Sequence, residues 1–325
     1  MTGDEVRDSV KLTNLDQPLF DGAGATKRDL VDYLDAISGP LVAQLRDRPL
    51  SVIRTLPRQA PFMQKNVPKY TPDWVPTITV WAQSSHRDVS YALCNDRRTL
   101  LWFANQRAVE YHPTLVRPGP DMDWRTQTDL ILDLDPPSEP DPERAFGSAV
   151  AAALLVRQAL ADAGLTGAVK TSGAKGLHVV VPLRAPASGD DVAAATRAVA
   201  ARAERLDPDL ATTAFIREDR GGKVFLDSTR AGGATVVAAY SPRVRPGVPV
   251  SFPVPWEDLG SVRPADFTVR NAAGLVGDGD PWRDLLPQPQ ALPAGLVEEG
   301  RTIAVARVQA MHEGKRRKRA GRTAT

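Results

Sequence analysis

Residues 129–137 read Asp129-Leu130-Ile131-Leu132-Asp133-Leu134-Asp135-Pro136-Pro137. The apolar run predicts a strand, and the two prolines predict that the strand ends directly after the last acid. Side chains at i and i+2 of a strand point to the same face, so Asp133 and Asp135 are expected to emerge together. Two adjacent carboxylates repel each other unless a cation neutralises them, which suggests a divalent metal site. A solvated acidic turn is the alternative, so other features of the chain must decide.

The composition of the chain is that of an ordinary globular protein. Its 325 residues suffice for one large domain or two modest ones, with 42% hydrophobic and 25% charged residues. No apolar run approaches the roughly 20 residues that span a bilayer, and the acidic N-terminal segment does not resemble a signal peptide. Cys94 is the single cysteine, which excludes an intramolecular disulfide and a cysteine-based zinc site. We therefore expect a cytoplasmic protein without a membrane partner.

The overall charge says little about partners, because the formal net charge is only +2. The distribution is more informative, since basic residues crowd the C-terminal end. This group consists of Lys315, Arg316, Arg317, Lys318, Arg319 and Arg322. Such a tail either engages phosphates in a salt-sensitive way or is a flexible, solubilising end.

Hydrophobic periodicity predicts a mixture of helices and strands. Helices are expected at 26–47, where Gly39-Pro40 predicts a kink or a break, and at 142–163, 190–206 and 296–311. Strands are expected at 50–56, 77–82, 89–93, 100–104, 109–112, 168–171, 177–183, 223–227 and 235–240. This pattern predicts an α+β (mixed α/β) fold in which a central sheet is flanked by helices.

A second candidate motif is the glycine-containing turn at 170–181. Gly173 and Gly176 allow tight turns and close approach of backbone N–H groups to an anion. Ser172, Lys175 and His178 add a hydroxyl, a cation and an imidazole, which together suit a polyphosphate. The spacing is not that of a Walker loop, and an ordinary hairpin is the alternative.

A third motif is the apolar strand at 223–227, which ends in Asp227 and is followed by Arg230 and, later, Arg243. A third carboxylate beside a metal-binding pair is what a two-metal phosphoryl-transfer site requires. Arginines nearby can clamp phosphates. Taken alone, Asp227 reads equally well as a strand-terminating cap.

In this order, the three motifs resemble the signature of the archaeo-eukaryotic primase superfamily. The sequence around them resembles the polymerase domain of bacterial ligase D, an end-joining enzyme, over nearly the whole chain. No Lys-x-Asp-Gly adenylation motif is present, and the length leaves no room for ligase or nuclease modules. The chain thus resembles a stand-alone homologue, of the primase-polymerase kind found in actinobacteria.

The resemblance implies a role for each motif residue. Asp133, Asp135 and Asp227 would be the catalytic, metal-binding residues, holding two Mn²⁺ or Mg²⁺ ions. The nucleotide, an NTP or dNTP, would be bound by His112, Ser172, Gly173, Lys175, Gly176, His178, Arg230 and Arg243. His112 is the least specific of these, since a lone histidine is more often structural. Ribonucleotide preference and activity with manganese are family tendencies carried over as expectations.

The DNA-binding features match the family less well. A 5′-phosphate pocket in the end-joining enzymes uses two lysines, and this chain has Gln17 at the first position and Lys27 at the second. The aromatic element that stacks near the DNA reads Phe62-Met63-Gln64-Lys65, so Phe62 and Lys65 are the expected DNA contacts. Recognition of a downstream 5′-phosphate is therefore an open question.

The resemblance also implies a domain organisation. Residues 1–310 would form a single primase-polymerase domain, with 1–125 and the catalytic core 126–245 closely packed, 246–310 wrapping over them, and 311–325 a flexible basic tail. The expected function is primer extension or filling of short gaps at DNA breaks or excision-repair gaps in the nucleoid. Partners would include gapped DNA, a separate ligase and an end-binding protein such as Ku. The alternatives are a catalytically weak DNA-end scaffold and a metal-dependent phosphodiesterase.

Overall fold

The computed structural model describes residues 4–82, 86–117, 126–231 and 234–305. Its contacts cluster into two compact units. Unit 1 comprises residues 1–124, 170–174 and 233–285, and unit 2 comprises residues 125–169, 175–232 and 286–325. The expected basic tail, 311–325, lies outside the described residues, and the expected single-domain organisation stays a prediction.

The described elements alternate between strands and helices. The strands are β1 (Glu5–Arg7), β2 (Val10–Leu12), β3 (Pro49–Arg54), β4 (Phe62–Gln64), β5 (Thr77–Ala82), β6 (Arg87–Leu93), β7 (Ala108–Pro113), β8 (Thr126–Asp135), β9 (Ala168–Thr171), β10 (Leu177–Ser188), β11 (Ala211–Thr212), β12 (Val224–Asp227) and β13 (Pro253–Val254). The helices are α1 (Lys27–Ala36), α2 (Ser38–Leu45), α3 (Arg97–Asn105), α4 (Pro142–Ala161), α5 (Gly189–Leu206), α6 (Ala272–Val276), α7 (Pro281–Leu285) and α8 (Ala294–Thr302), with 3₁₀ turns at Arg217–Arg220 and Pro264–Asp266.

Unit 1 is built on an antiparallel sheet in which β3 is the central strand. The sheet has the order β4-β3-β6-β5, and β7 also pairs with β3. The expected helix at 26–47 is divided into α1 and α2. Pro40 lies in the first turn of α2, where its missing N–H is tolerated, whereas the interior of one continuous helix would lose a hydrogen bond there. Thr26 caps α1 and forms a capping box with Asp29.

Unit 2 carries the predicted acidic strand in the middle of its sheet. The strand order is β11-β12-β8-β10, followed by the start of β9. Helices α4 and α5 pack on each other and on this sheet, and α8 packs on α5. Leu130, Leu132 and Leu134 are fully buried, as the apolar half of the alternation in β8 requires. The acids of the same strand therefore belong to the opposite face.

One predicted strand is wrong. Residues 100–104 form the middle of helix α3, not a strand. Every residue from Thr99 to Ala104 is buried, and such a short apolar run fits a buried strand or a buried helix equally well. The N-terminal cap favours the helix, because the side chain of Asp96 accepts a hydrogen bond from the backbone N–H of Thr99.

A second predicted strand, at 235–240, is also wrong. In its described part the segment makes an isolated bridge between Thr235 and Thr114 and then turns at Tyr240, whose φ is 69°. Its backbone groups have scattered partners: the N–H of Ala238 donates to the Tyr111 carbonyl, and the N–H of Tyr240 donates to the Ser251 carbonyl. The apolar side chains of this segment match its burial, and its backbone is not part of a named strand.

Residues 246–293 of the segment expected to wrap over the body contain short elements, namely β13, a 3₁₀ turn, α6 and α7. Phe252 and Trp282 are buried in this segment, and Trp256 is half-buried. Among the described residues, no helix has both the length and the apolar character required to cross a membrane.

Candidate active site

The acids of unit 2 are brought together by strand register. Asp133 and Asp135 lie at the C-terminal end of β8, directly before the two prolines. In the antiparallel pairing with β12, Asp227 lies opposite Asp133, and in the pairing with β10, His178 lies opposite the same residue. Directly opposed residues share a face of the sheet, and so do i and i+2. The four side chains therefore emerge on one face.

Arg230 binds two of the three carboxylates. Its Nη2 lies 3.0 Å from Oδ2 of Asp133 and 3.2 Å from Oδ2 of Asp227. The other oxygen of Asp227 accepts hydrogen bonds from the backbone N–H and the hydroxyl of Thr229, at 2.8 and 2.6 Å. The tight turn after β12 thus fixes the rotamer of Asp227 and places the guanidinium between the two strands.

The two acids of β8 differ in their charge environment. Burial alone raises the pKa of Asp133, but the charges and hydrogen bonds of His178 and Arg230 outweigh it and hold that pKa well below its usual range. His178 Nε2 lies 3.3 Å from Oδ1 of Asp133. Burial raises the pKa of Asp135, and the negative charges of Asp133 and Asp227 raise it further against the opposing effect of Lys175 and Arg230. The uncompensated negative charge of the cluster therefore falls on Asp135.

The residues fit the divalent ions that the resemblance implies. Carboxylate oxygens are hard ligands of the type that Mg²⁺ and Mn²⁺ prefer, and the pKa of Asp135 is raised by burial and then by the negative charges of Asp133 and Asp227. Within the described part of the chain, no three histidine, cysteine or acidic side chains already converge as metal ligands. Arg230 contacts two of the three acids, so it supplies the counter-charge in this structure.

The turn between β9 and β10 depends on its two glycines. Gly173 has a φ of 67°, and a Cβ there would lie 2.7 Å from the Cγ of Arg243. A Cβ on Gly176 would lie 2.1 Å from the carbonyl oxygen of Leu134. Lys175 is exposed, and its ammonium donates to the carbonyl of Pro136 at 2.8 Å. The second half of the turn is therefore packed against the end of the acidic strand.

A second cluster of predicted residues lies in unit 1 around Glu110. His112 Nε2 lies 2.9 Å from Oε2 of Glu110, and Arg243 Nε lies 3.0 Å from the same oxygen. The backbone N–H of Val244 donates to the other carboxylate oxygen at 2.8 Å, and Arg243 also donates to the carbonyl of Ser172. Burial raises the pKa of Glu110, but His112, Arg243 and Val244 together lower it to about 2. Glu110 thus orients both predicted nucleotide contacts.

The predicted site residues consequently fall into two clusters. The acidic cluster of unit 2 contains Asp133, Asp135, Lys175, Gly176, His178, Asp227 and Arg230. The Glu110 cluster of unit 1 contains His112, Ser172, Gly173 and Arg243.

The expected DNA contacts also lie in unit 1, and they differ in accessibility. Lys27 is only 3% exposed, and its ammonium donates to the Thr13 carbonyl and to Oδ1 of Asn105, both at 2.6 Å. Phe62 and Lys65 are exposed on and beside β4, and the guanidinium of Arg54 lies 5.9 Å from the centre of the Phe62 ring. Phe62 and Lys65 are therefore open to a ligand, whereas Lys27 is engaged internally.

Comparison with known proteins places most of the chain in one family. The family described as LigD, primase-polymerase domain, matches residues 26–282. The bifunctional non-homologous end joining protein LigD of Bacillus subtilis is 32% identical over 298 residues, covering 90% of this chain and 46% of the relative. The multifunctional LigD of Mycobacterium tuberculosis is 33% identical over 267 residues, covering 77% of this chain and 33% of the relative.

Solved structures give the same result. The polymerase domain of M. tuberculosis ligase D, in complex with DNA, matches with a TM-score of 0.77 and 31% identity, over 85% of this chain and 97% of that chain. The chain belongs to the LigD primase-polymerase family. The resemblance seen in the sequence and the archaeo-eukaryotic primase-like α+β fold are thereby confirmed.

LigD polymerase domains are metal-dependent nucleotidyltransferases, DNA-directed polymerases or primases, so this chain is assigned to that enzyme class. The chain spans less than half the length of the curated LigD relatives that it matches.

Sequence reasoning missed three residues that interact with one or the other of these clusters. Glu110 was recognisable only as the residue two positions before His112, which places both on one strand face. Arg220 stacks 3.7 Å over the ring of Phe225, and the charges of Asp135 and Asp227 act on it. Thr229 follows the third acid by two residues, a spacing typical of an Asx turn.

Proposed function

We propose that this protein is a template-dependent nucleotidyltransferase that extends primers or fills short gaps at DNA breaks and excision-repair gaps. The observation that carries the proposal is the strand register that gathers Asp133, Asp135, Asp227 and His178 on one sheet face. A chain of the LigD primase-polymerase family needs such an acidic centre for nucleotidyl transfer. Structural strand ends do not require three acids in register.

In this proposal, Asp133, Asp135 and Asp227 would hold two divalent ions, with Mn²⁺ preferred. Such ions, when bound, offset the charge of a triphosphate and make a hydroxyl a better nucleophile. Asp133 is already held in its ionised form by His178 and Arg230. Asp227 is oriented by Thr229, so two of the three acids are pre-organised before any substrate arrives.

Each cluster, taken by itself, contains residues that we propose as nucleotide contacts. In unit 2, Lys175, His178 and Arg230 present three groups that suit phosphate oxygens. In unit 1, His112 and Arg243 are held by Glu110, and Gly173 lets the backbone turn closely at Ser172. Arg230 is the most adaptable of these, because its guanidinium suits carboxylates and phosphates alike.

Recognition of the downstream DNA end is proposed to differ from the two-lysine pattern expected for the end-joining enzymes. Gln17 carries no charge, and the ammonium of Lys27 is buried between Thr13 and Asn105. Extension should therefore depend little on a 5′-phosphate bound by these two residues. Phe62 and Lys65 remain the proposed DNA contacts, the first by stacking and the second by charge.

The cellular role follows from the curated names of the relatives, which are non-homologous end joining proteins. We place the protein at DNA ends or gaps in the nucleoid, where it would add ribonucleotides in preference to deoxynucleotides. A separate DNA ligase and an end-binding protein such as Ku would supply the linked steps.

A gap-filling assay tests the proposal. The protein is incubated with Mn²⁺, a labelled primer in a short gap, and either NTPs or dNTPs, with and without a downstream 5′-phosphate. Elongated primers support a polymerase, unchanged primers with retained DNA binding indicate a scaffold, and shortened primers indicate a phosphodiesterase. Faster extension with NTPs supports the ribonucleotide preference. A more than tenfold dependence on the 5′-phosphate would contradict the proposed role of Gln17 and Lys27.

A further inference from the structure

Tyr240 has an unusual backbone conformation and lies shortly before Arg243, a proposed nucleotide contact. Its φ is 69°, in the left-handed region that favours glycine, and its side chain is fully buried. The N–H of Ser241 donates to the Ala238 carbonyl at 3.2 Å, so Tyr240 is the third residue of a tight turn. A positive φ at that position usually requires glycine. A bulky residue there is strained and persists only where its surroundings hold it.

The side chain of Tyr240 is held at its hydroxyl. The hydroxyl donates to Oδ1 of Asp280 and accepts from the backbone N–H of Trp282, both at 2.7 Å. Burial and the hydrogen bond to Asp280 raise the pKa of Tyr240 well above its usual range, so the hydroxyl stays protonated and remains a donor. Asp280 is itself buried, and its Oδ1 also accepts from the N–H of Arg283. These contacts anchor the tip of the side chain at the N-terminal end of α7.

The backbone of Tyr240 is held as well. Its N–H donates to the Ser251 carbonyl at 2.6 Å, and its carbonyl accepts from the hydroxyl of Tyr33 at 2.8 Å. The aromatic ring packs edge-on against Phe252, with the ring centres 6.1 Å apart. The N–H, the carbonyl and the hydroxyl of Tyr240 are thus all engaged within unit 1. Contacts of this number hold the strained turn in place.

The turn leads directly to the Glu110 cluster. Oγ of Ser241 accepts a hydrogen bond from the backbone N–H of Tyr111 at 2.8 Å, which ties the chain to strand β7 beside Glu110. Nε of Arg243 then lies 3.0 Å from Oε2 of Glu110, and the guanidinium also donates to the Ser172 carbonyl. A different conformation at the turn would change the direction of the chain and move Arg243 away from these partners.

A second turn with left-handed residues follows Arg243. The N–H of Val248 donates to the Arg245 carbonyl at 2.9 Å, and Gly247 and Val248 have φ values of 78° and 48°. A positive φ is unfavourable at a β-branched residue such as Val248. Between the two turns, the N–H of Arg243 donates to the Pro249 carbonyl at 2.8 Å. The segment that carries Arg243 is therefore bounded by strained residues on both sides, as is common where a functional side chain must be placed.

We propose that Tyr240 and Asp280 are positioning residues, and that the hydrogen bond between them holds Arg243 in place for the nucleotide. The inference rests on the proposed function, because it takes Arg243 as a nucleotide contact. Tyr240 and Asp280 are buried, so they act through Arg243 and not by touching the substrate. Without the bond, the turn relaxes toward an unstrained conformation and Arg243 meets the nucleotide less often. The effect falls on nucleotide affinity and not on the chemical step.

Steady-state gap filling with NTPs tests this role. Tyr240→Phe removes only the hydroxyl and Asp280→Ala removes its acceptor, whereas Asp280→Asn keeps an oxygen that can accept. The matched control is Tyr111→Phe, which removes another fully buried hydroxyl, bonded to the Ala108 carbonyl at 3.2 Å.

We expect Tyr240→Phe and Asp280→Ala to raise the KM for the nucleotide at least fivefold, with kcat within twofold of the parent. Asp280→Asn and Tyr111→Phe should stay within twofold of the parent in both constants. An unchanged KM in Tyr240→Phe, or an equal rise in Tyr111→Phe, would overturn the proposal.

A double-mutant cycle shows whether Tyr240 acts through Arg243. Arg243→Gln should raise the KM, and adding Tyr240→Phe to it should change that KM by less than twofold. Effects that multiply would overturn the proposal, because the hydroxyl would then act by another route. A parental KM in Arg243→Gln would overturn the nucleotide role of Arg243 and the inference with it. A KM that Arg243→Gln raises and Tyr240→Phe does not would overturn the inference alone.

Chemical modification follows the placement of Arg243 without catalysis. Phenylglyoxal modifies accessible arginines, and mass spectrometry reports the modified peptides. The side chain of Arg243 is 19% accessible in the folded chain, and that of Arg144, the internal reference, is 79% accessible. Relative to Arg144, Arg243 should react at least threefold faster in Tyr240→Phe than in the parent or in Tyr111→Phe. Equal rates in the three proteins would overturn the inference even if the parent extends no primer, so its failure is distinguishable from failure of the proposed function.

Discussion

Asp227 lies directly opposite Asp133 in the antiparallel pairing of β12 with β8. The guanidinium of Arg230 contacts both carboxylates, and Asp135 is left with the excess negative charge of the group. This arrangement makes Asp135 the acid whose loss should be most specific for catalysis, because no arginine of the described cluster is hydrogen-bonded to it. The predictions below separate the roles of the individual residues.

Replacing Asp135 with alanine should reduce primer extension at least about 10³-fold, since a lost metal ligand costs several kcal/mol of transition-state stabilisation. DNA binding should stay within about twofold, because the acid is not a proposed DNA contact. Single-turnover extension and a DNA-binding titration measure the two effects. Asp129→Ala is the control, since it removes an acid from the same strand about 20 Å away. Comparable activity of the two variants would contradict the assignment.

Replacing Arg230 with glutamine should destabilise the metal-free protein by about 1–3 kcal/mol, because two buried carboxylates lose their counter-charge. The same change should enlarge the stabilisation that Mn²⁺ provides, since the ion would then be the main remaining counter-charge. Thermal unfolding with and without Mn²⁺ measures both effects. Arg217→Gln, which removes an exposed arginine bonded to Ser138, serves as control. If Mn²⁺ stabilised Arg230→Gln no more than it stabilises the parent, the result would argue that Arg230 and the metal do not bind the same carboxylates.

Replacing Gly176 with alanine should destabilise the protein by about 3 kcal/mol or more, because the new Cβ would lie 2.1 Å from the Leu134 carbonyl oxygen. Relief of that clash displaces the end of β8, so extension activity should fall together with stability. Gly147→Ala is the control, since nothing lies within 4 Å of its Cβ and alanine favours the helix. Chemical denaturation of both variants gives the comparison, and equal stabilities would show that the turn adapts freely.

Replacing Glu110 with glutamine should lower stability at pH 7 by about 1–3 kcal/mol, because Arg243 and His112 lose a buried partner. The folded-state pKa of about 2 lies below the ordinary value of 4.5. The carboxylate therefore contributes its full stability above pH 4.5 and loses it as the pH falls through 2. The difference between parent and variant should shrink over that window. A constant difference from pH 6 to pH 2.5 would contradict the charge-based explanation.

Replacing Lys27 with methionine should change how stability depends on alkaline pH. The folded-state pKa of about 8 lies below the ordinary value of 10.5, so the unfolded chain binds the proton more tightly. The cost of the buried charge is complete below pH 8 and is relieved as the pH rises toward 10.5. Between pH 7 and 10 the parent should gain about 1–2 kcal/mol relative to Lys27→Met. The exposed Lys11→Met is the control, and parallel curves for parent and Lys27→Met would refute the assignment.

Part of the fold was predictable because its signals are local. The strand at 168–171 and the one at 77–82 have the predicted bounds, since turn residues flank each apolar segment. The helix α3 was mistaken for a strand because a buried run carries no period, and the cap at Asp96 is a single residue. The prediction of a strand at 235–240 was wrong for a different reason, since the backbone hydrogen-bond partners of this segment are scattered along the chain.

The candidate site likewise contains some features that the local sequence predicted and others that depend on residues distant in sequence. Asp133 and Asp135 share a face by strand geometry alone, and Gly173 and Gly176 were recognisable as turn residues. Glu110 was not, because its importance depends on Arg243, which is distant in sequence. The burial of Lys27 was likewise invisible in the sequence, because the side chain that engages its ammonium, Asn105, belongs to another helix.

The sequence by itself determined which residues could form an acidic centre and in which strands they lie, because alternation and chain-breaking residues act over a few positions. Only the tertiary structure decided that Asp133 is the stabilised anion and Asp135 the uncompensated one. That difference arises because a carboxylate pKa depends on charges within a few ångströms. Strand pairing brings His178 and Arg230 to Asp133, over distances in sequence that no local pattern encodes.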